Sequence, residues 1–392
     1  MFRPFIKQKR VLLIVASINL MLVFVSYHSS SFYPEIDYDL KIEASTIMRH
    51  ALDHTYKKYG ENKDSLDLFK SGIIGVDSTE SNMTTKKGYL NSKRATTNPN
   101  FAAVFIDAFT KIGLSLNNSN FPDTIAVSFT GSFPGANIAF LSACKAANIY
   151  PIIISSIGSS SWGANQTNKT WLDIEKYLVD KNYFKYRSAA FSLGGDNDRL
   201  DELEEKVKNS LIKKITDNGY PLIQNSKLKE SILSRISLYN SMSNNYKAYV
   251  NIGGSSASLG DSTTSKMYLP GLIYEKDYAV EEAMDDEYDE YYQYQGTIVP
   301  VIDNFIGKIP VINIKNINNL KDWYNLPYYE EDYNEKTMEI GANLLFGKKE
   351  AHNFTVIWIC VIASFSLITW LAISSIMQVN NKMKEIDDES II

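Results

Sequence analysis

Three short runs rich in glycine and serine, at 130–135, 155–165 and 253–260, hold the residue types best suited to meeting an anionic ligand. Small residues let a ligand approach the backbone, and free N–H groups at the head of a helix beside small hydroxyls favour a carboxylate or phosphate. The candidates are Ser132, Gly135 and Asn137 in and just after the first run, Ser159, Ser160, Ser161, Trp162 and Asn165 in the second, and Gly253 and Gly254 in the third. Lys86, Lys87, Lys93, Arg94 and Arg187 could add positive charge. The competing explanation is that Gly and Ser merely make turns and cap helices. Three such runs at one predicted sheet edge put the two explanations on a par.

Other chemistries find less support. Ser132 sits between a strand and a helix, but Thr130 and Pro134 occupy the flanking glycine positions of a nucleophile elbow. Of the four histidines, His28 and His352 border apolar spans and His50 and His54 share a helix face, so a Ser-His-Asp triad is not expected. His50 and His54 have the i, i+4 spacing of a metal pair, but no third ligand is evident, and no metal is expected. Asp173 and Glu175 form a carboxylate pair, with Thr170 and Asp173 fitting a capping box. Asp196, Asp198, Asp201 and Glu202 resemble a cation loop without the EF-hand spacing, and also suit the start of a helix near Arg199. There is neither a Gly-x4-Gly-Lys-Ser/Thr run nor a Cys-x2-Cys pair, so no nucleotide or thiolate-zinc cofactor is implied. A net charge of -5 gives no argument for nucleic acid.

The elements that must position these residues are legible in outline. Residues 124–129 read as a strand, 136–147 as a helix and 150–155 as a second strand, a βαβ unit with parallel strands. Further strands are expected at 248–252, 299–302 and 309–314, and helices at 39–59, 100–113 and 316–323. Alternating strands and helices predict an α/β fold: an open, mostly parallel sheet with flanking helices. The polar run through Lys93, Arg94 and Asn98-Pro99 reads as an exposed loop, and 275–294, dense in Asp, Glu and Tyr, as an exposed loop or helix.

Two uncharged apolar stretches bracket this body, at 11–27 and 354–377. Each approaches the roughly 20 residues that span a bilayer. Arg3, Lys7, Lys9 and Arg10 precede the first while Glu35, Asp37 and Asp39 follow it, which places the N-terminus inside. A cleaved signal peptide is the rival, but Val25-Ser26-Tyr27-His28 is a poor cleavage site. The expected organisation is a cytoplasmic 1–10, a span at 11–27, an extracytoplasmic domain over 28–353, a span at 354–377 and a cytoplasmic tail at 378–392. Cys144 and Cys360 fall in a helix and a span, so no disulfide is expected.

Taken together, Ser132-Phe133-Pro134-Gly135-Ala136-Asn137, Ser159-Ser160-Ser161-Trp162-Gly163-Ala164-Asn165, Thr170-Trp171-Leu172-Asp173-Ile174-Glu175, Lys93-Arg94-Ala95-Thr96-Thr97-Asn98-Pro99, Asn251-Ile252-Gly253-Gly254 and Ser258-Leu259-Gly260 resemble the poly-γ-glutamate system protein family. The resemblance runs in order over about 70–330 and includes the terminal spans. It implies a bacterial, membrane-associated accessory protein acting beside the poly-γ-glutamate synthetase subunits, with the polymer as ligand. It brings no catalytic residues and no cofactor. The alternative is a hydrolase or transferase that acts on the γ-linked chain through Ser132 or a loop serine with Asp173 or Glu175.

Overall fold

The computed structural model describes residues 2–60, 66–118, 120–260, 264–274, 300–324, 326–341, 344–350 and 352–389. The chain forms two units, Ile36–Phe346 and a terminal unit of Met1–Glu35 with Gly347–Ile392. The acidic stretch expected at 275–294 lies outside the described residues.

In the terminal unit, α1 (Lys9–His28) and α12 (Phe354–Glu389) are each long and apolar enough to cross a membrane. They are joined at one end by a two-stranded antiparallel sheet of β1 (Ser31–Pro34) and β9 (Gly347–Glu350), with Ser31 opposite Glu350 and Pro34 opposite Gly347. Asn19, which interrupts the first apolar run, accepts a hydrogen bond from Ser364 and donates to the Val15 carbonyl at 2.8 Å. An amide without such partners would be costly in hydrocarbon. Near the other end, the Phe5 and Ile6 N–H groups donate to Gln378 and Ser375, both at 3.0 Å. α12 does not stop at the expected boundary of 377 but continues to Glu389.

The body is the open α/β sheet that the alternating pattern predicts. Among the described residues its seven strands are β2 (Thr124–Thr130), β3 (Tyr150–Ser156), β4 (Ala190–Ser192), β5 (Leu222–Ile223), β6 (Ala248–Ile252), β7 (Gly271–Ile273) and β8 (Val311–Ile314). They lie in the order β5-β4-β3-β2-β6-β8-β7, parallel except for β7, which runs antiparallel to β8. Alternation of side chains sends Ile125, Val127 and Phe129 of β2 to one face and Ala126 to the other. The first face is covered by α2 (Tyr38–Tyr59), α3 (Leu90–Thr97), α4 (Phe101–Lys111), α5 (Pro134–Ala147), α6 (Trp171–Asp180) and α7 (Glu205–Asp217). The second is covered by α8 (Leu228–Met242), α9 (Ser256–Leu259) and the 3-10 turn Val301–Asn304. Two short helices, α10 (Ile317–Tyr324) and α11 (Glu335–Met338), follow β8.

Three expectations are corrected here. The strand expected at 299–302 is a 3-10 turn from Val301, because its apolar residues are buried in the second core and Pro300 cannot donate to a ladder; Val299 is outside the described residues. The helix expected near Arg199 begins only at Glu205, since Asn197, Asp198 and Leu200 have positive φ. The loop expected around Lys93 and Arg94 is the buried helix α3.

Candidate functional site

β2 leads outward on one flank to β3, β4 and β5, and the chain then returns to place β6 on the other flank of β2. The carboxyl ends of β2 and β6 therefore splay their following loops apart, which is where open α/β sheets form a crevice. A cleft of about 240 Å³ lies at this edge. Its walls combine Thr130, Ser132 and Phe133 after β2, Ser156, Gly158 and Ser160 from the end of β3 onward, and Gly254, Ser255 and Ser256 after β6. Thr85–Tyr89, Ser92 and Lys93 close one side, and Gly195 contributes from the β4 loop.

Hydrogen bonds fasten the first two loops to each other. The Ser160 N–H donates to Ser132 Oγ at 3.0 Å, and Ser159 Oγ donates to the Gly131 carbonyl at 3.0 Å. The lysine-bearing segment is held against them by its backbone, with Thr85 N–H on the Ser159 carbonyl and Ser161 N–H on the Lys86 carbonyl, both at 2.9 Å. Gly88 must be small here, because a Cβ would stand 2.5 Å from the Ser161 carbonyl oxygen and 3.0 Å from Ser160 Oγ.

Lys93, a candidate expected on an exposed loop, reaches the site from a buried helix instead. It sits on α3, only 3% exposed, with its Nζ 3.0 Å from Ser160 Oγ and 3.6 Å from the centre of the Phe133 ring. Burial lowers its ammonium to about 7. No Asp or Glu is among the described residues lining the cleft, while Lys86 and Lys87 stand at its rim. Lys86 is tied to Asp196 at 3.0 Å across an exposed pair, a contact that solvent weakens.

The cleft thus unites Ser132, Ser160, Lys93 and Gly254 of the sequence candidates, while the others have different tasks. Arg94 is not on an exposed loop. It is buried, donating to the Leu66 carbonyl at 2.9 Å and paired with Glu330 at 3.3 Å. Gly135 is where α5 meets α3, and a Cβ there would fall 2.5 Å from the Thr96 carbonyl oxygen. Its smallness serves helix packing, so a bulky residue would separate the helices rather than screen a ligand. Asn137 donates to the Thr130 carbonyl at 3.0 Å and ties α5 to the end of β2. Ser159 and Ser161 are buried behind the loop. Trp162 takes a left-handed conformation so that its N–H meets the Val76 carbonyl and its carbonyl meets Gly75. Asn165, expected as a further donor, spends its amide on both backbone groups of Val76 and on Thr84. Gly253 is compressed against Thr130, where a Cβ would meet Oγ1 at 2.2 Å. Arg187 lies over the Tyr220 ring.

The carboxylates proposed as catalytic partners are also accounted for. Asp173 completes the expected capping box with Thr170 and pairs with Lys214 at 2.5 Å. Glu175 is buried beneath Ser188, which donates to it through N–H at 3.1 Å and Oγ at 2.7 Å, while burial raises its carboxyl to about 7. Asp198 forms a fully buried pair with Arg235 at 2.9 Å, and Asp201 pairs with Arg199. His54 packs against the Tyr183 ring. Among the described residues no group of three or more His, Cys, Asp or Glu could hold a metal ion.

Tyr89 and Ser92 fall outside the three expected runs and were missed, while Ser156, Ser255 and Ser256 lie within those runs without having been singled out. Ser156 and Ser255 could have been found from strand ends, since ligand-facing residues gather just past the carboxyl terminus of each parallel strand. No family model matches the chain, and neither a curated protein nor a solved structure matches it.

Proposed function

We propose that the chain is a membrane-anchored accessory protein whose cleft binds carboxylates of an acidic polymer, with poly-γ-glutamate as the ligand. The observation that carries this is the lining of the cleft: Lys86, Lys87 and Lys93 with six serines and no acidic residue among the described ones, in a chain whose net charge is -5. Local charge opposed to the overall charge attracts a polyanion to one place on the surface. Serine hydroxyls supply the hydrogen bonds that a carboxylate needs beyond Coulomb attraction.

Two apolar terminal helices support a cell-envelope location. With the basic N-terminus inside, both ends of the chain are cytoplasmic and the body is outside, where it receives or guides the polymer leaving the synthetase subunits. The test is retention of poly-γ-glutamate by the purified full chain in detergent micelles, against a neutral polymer of similar length. Retention should weaken with salt and fall at least tenfold in a Lys86→Glu, Lys87→Glu variant. Equal retention of the neutral polymer would refute the reading, as would unchanged surface polymer after deletion of the gene.

A further inference from the structure

The contact between Lys93 and Ser160 has a chemical meaning beyond binding. We propose that Ser160 is an acyl-accepting nucleophile and Lys93 its general base, acting on amide or ester carbonyls next to carboxylate-bearing units. The geometry is that of a serine–lysine pair: Nζ and Oγ are 3.0 Å apart, Ser160 faces the cleft, and Lys93 is buried with no carboxylate of the described residues in contact. A lysine serves as a base only when neutral, and desolvation without an ion-pair partner is what makes it so near physiological pH. The Phe133 ring covers Nζ and limits its contact with water. The titratable groups that share the cleft are Lys86, Lys87 and Tyr89, with Asp196 beyond Lys86 and Arg94 directed away on α3.

Ser132 is placed to assist. Its oxygen accepts the Ser160 N–H, and its own hydroxyl proton has no protein acceptor among the described residues, so it is available to a substrate oxygen at the cleft wall. In the first step the Ser160 proton passes to Lys93 Nζ as Oγ bonds to the carbonyl carbon. The bond to the leaving amine or alkoxide then breaks and takes the proton back from Lys93, leaving an ester on Ser160. Water or an amine of a second chain next attacks that ester. Lys93 accepts the proton of the attacking group and returns it to Ser160 Oγ, and no electrons change hands overall. The catalytic serine is then Ser160 and not Ser132, and the base is neither Asp173 nor Glu175.

The substrate class rests on the carboxylate-binding reading, whereas the pair itself does not, so two measurements on the full chain in micelles separate them. A fluorophosphonate probe should form an adduct on Ser160, located by peptide mass spectrometry, at a rate that rises with pH through about 7. Ser160→Ala should remove the adduct, and Lys93→Met should slow labelling at least 100-fold, the usual scale of a lost general base. Ser160→Cys guards against misfolding, because its thiol should react with iodoacetamide far faster than buried Cys144 in the same chain. No adduct, an adduct on Ser132, or undiminished labelling of Lys93→Met overturns the pair. An adduct on Ser160 in a protein that neither retains nor shortens poly-γ-glutamate leaves the pair standing and removes the polymer.

Discussion

Replacing Lys93 by Met keeps the length of the side chain and its contact with Phe133 but removes a buried charge. In the folded protein the ammonium falls from 10.5 to about 7 because of desolvation. At about 1.36 kcal/mol per pH unit, keeping it charged in place costs on the order of 5 kcal/mol. The sign follows from proton counting. Between pH 7 and 10.5 the unfolded chain holds the proton and the folded chain has released it, so wild-type stability rises with pH across that window. Below pH 7 both states are protonated and the full penalty applies. Lys93→Met has no such penalty, although it loses the bond to Ser160, worth about 1 kcal/mol, and the attraction of the ammonium to the Phe133 ring, worth about 1 kcal/mol more. The variant should therefore exceed the wild type by several kcal/mol below pH 7, and its lead should shrink by about 1.36 kcal/mol per pH unit above it. Lys315, lowered to about 8 by burial, titrates in both proteins and cancels from the difference. Thermal melts of the two full chains at pH 6, 7.5 and 9 measure this, with the gap closing by about 2–3 °C between pH 7.5 and 9. A gap that does not change with pH would show that Lys93 is not a desolvated cation, and its role as a base would fall with it.

Gly254→Leu should abolish polymer retention with little loss of stability, because a Cβ at Gly254 meets nothing within 4 Å and the side chain enters the cleft. Gly135→Val should instead lower the melting temperature, by about 1–3 kcal/mol of overpacking against Thr96. Asp198→Asn should cost about 3–5 kcal/mol in denaturant unfolding, since it strands the Arg235 charge at zero exposure. Glu175 is raised to about 7 by burial, so wild-type stability should fall as pH rises from about 4.5 to 7, and Glu175→Gln should flatten that slope. Alkaline phosphatase fused after Leu116 should be active in a bacterial host and inactive after Lys384; the opposite pattern would reverse the topology.

How far the residues themselves disclosed this arrangement depended on the range of the interactions involved. β2, α5 and β3 were readable because their apolar runs and the Pro134 start are local signals, and Thr170 with Asp173 announced a cap from within four residues. Lys93 was misread because nothing local marks its burial: Phe133 and Ser160 lie 40 and 67 residues farther along and reach it only once α3 docks at the edge of the sheet. The same holds for Asn165, whose partners Val76 and Thr84 are more than 80 residues away. The turn at Val301–Asn304 shows the converse limit, in which a short β-branched run reports burial without reporting strand geometry.

The body also holds its own two ends together. Tyr38 packs against Phe346 with ring centres 6.4 Å apart, and Lys41 Nζ donates to the Leu345 carbonyl at 3.0 Å. Bringing together arms separated by some 300 residues would otherwise carry an entropic penalty of about 5 kcal/mol. Once folded, the body presents the flanking segments side by side, so pairing of β1 with β9 becomes a short-range event despite its distance in sequence. Because its ends adjoin, the body is also a natural candidate for head-to-tail cyclisation, with 36 joined to 346 through a short linker and both long apolar helices left out.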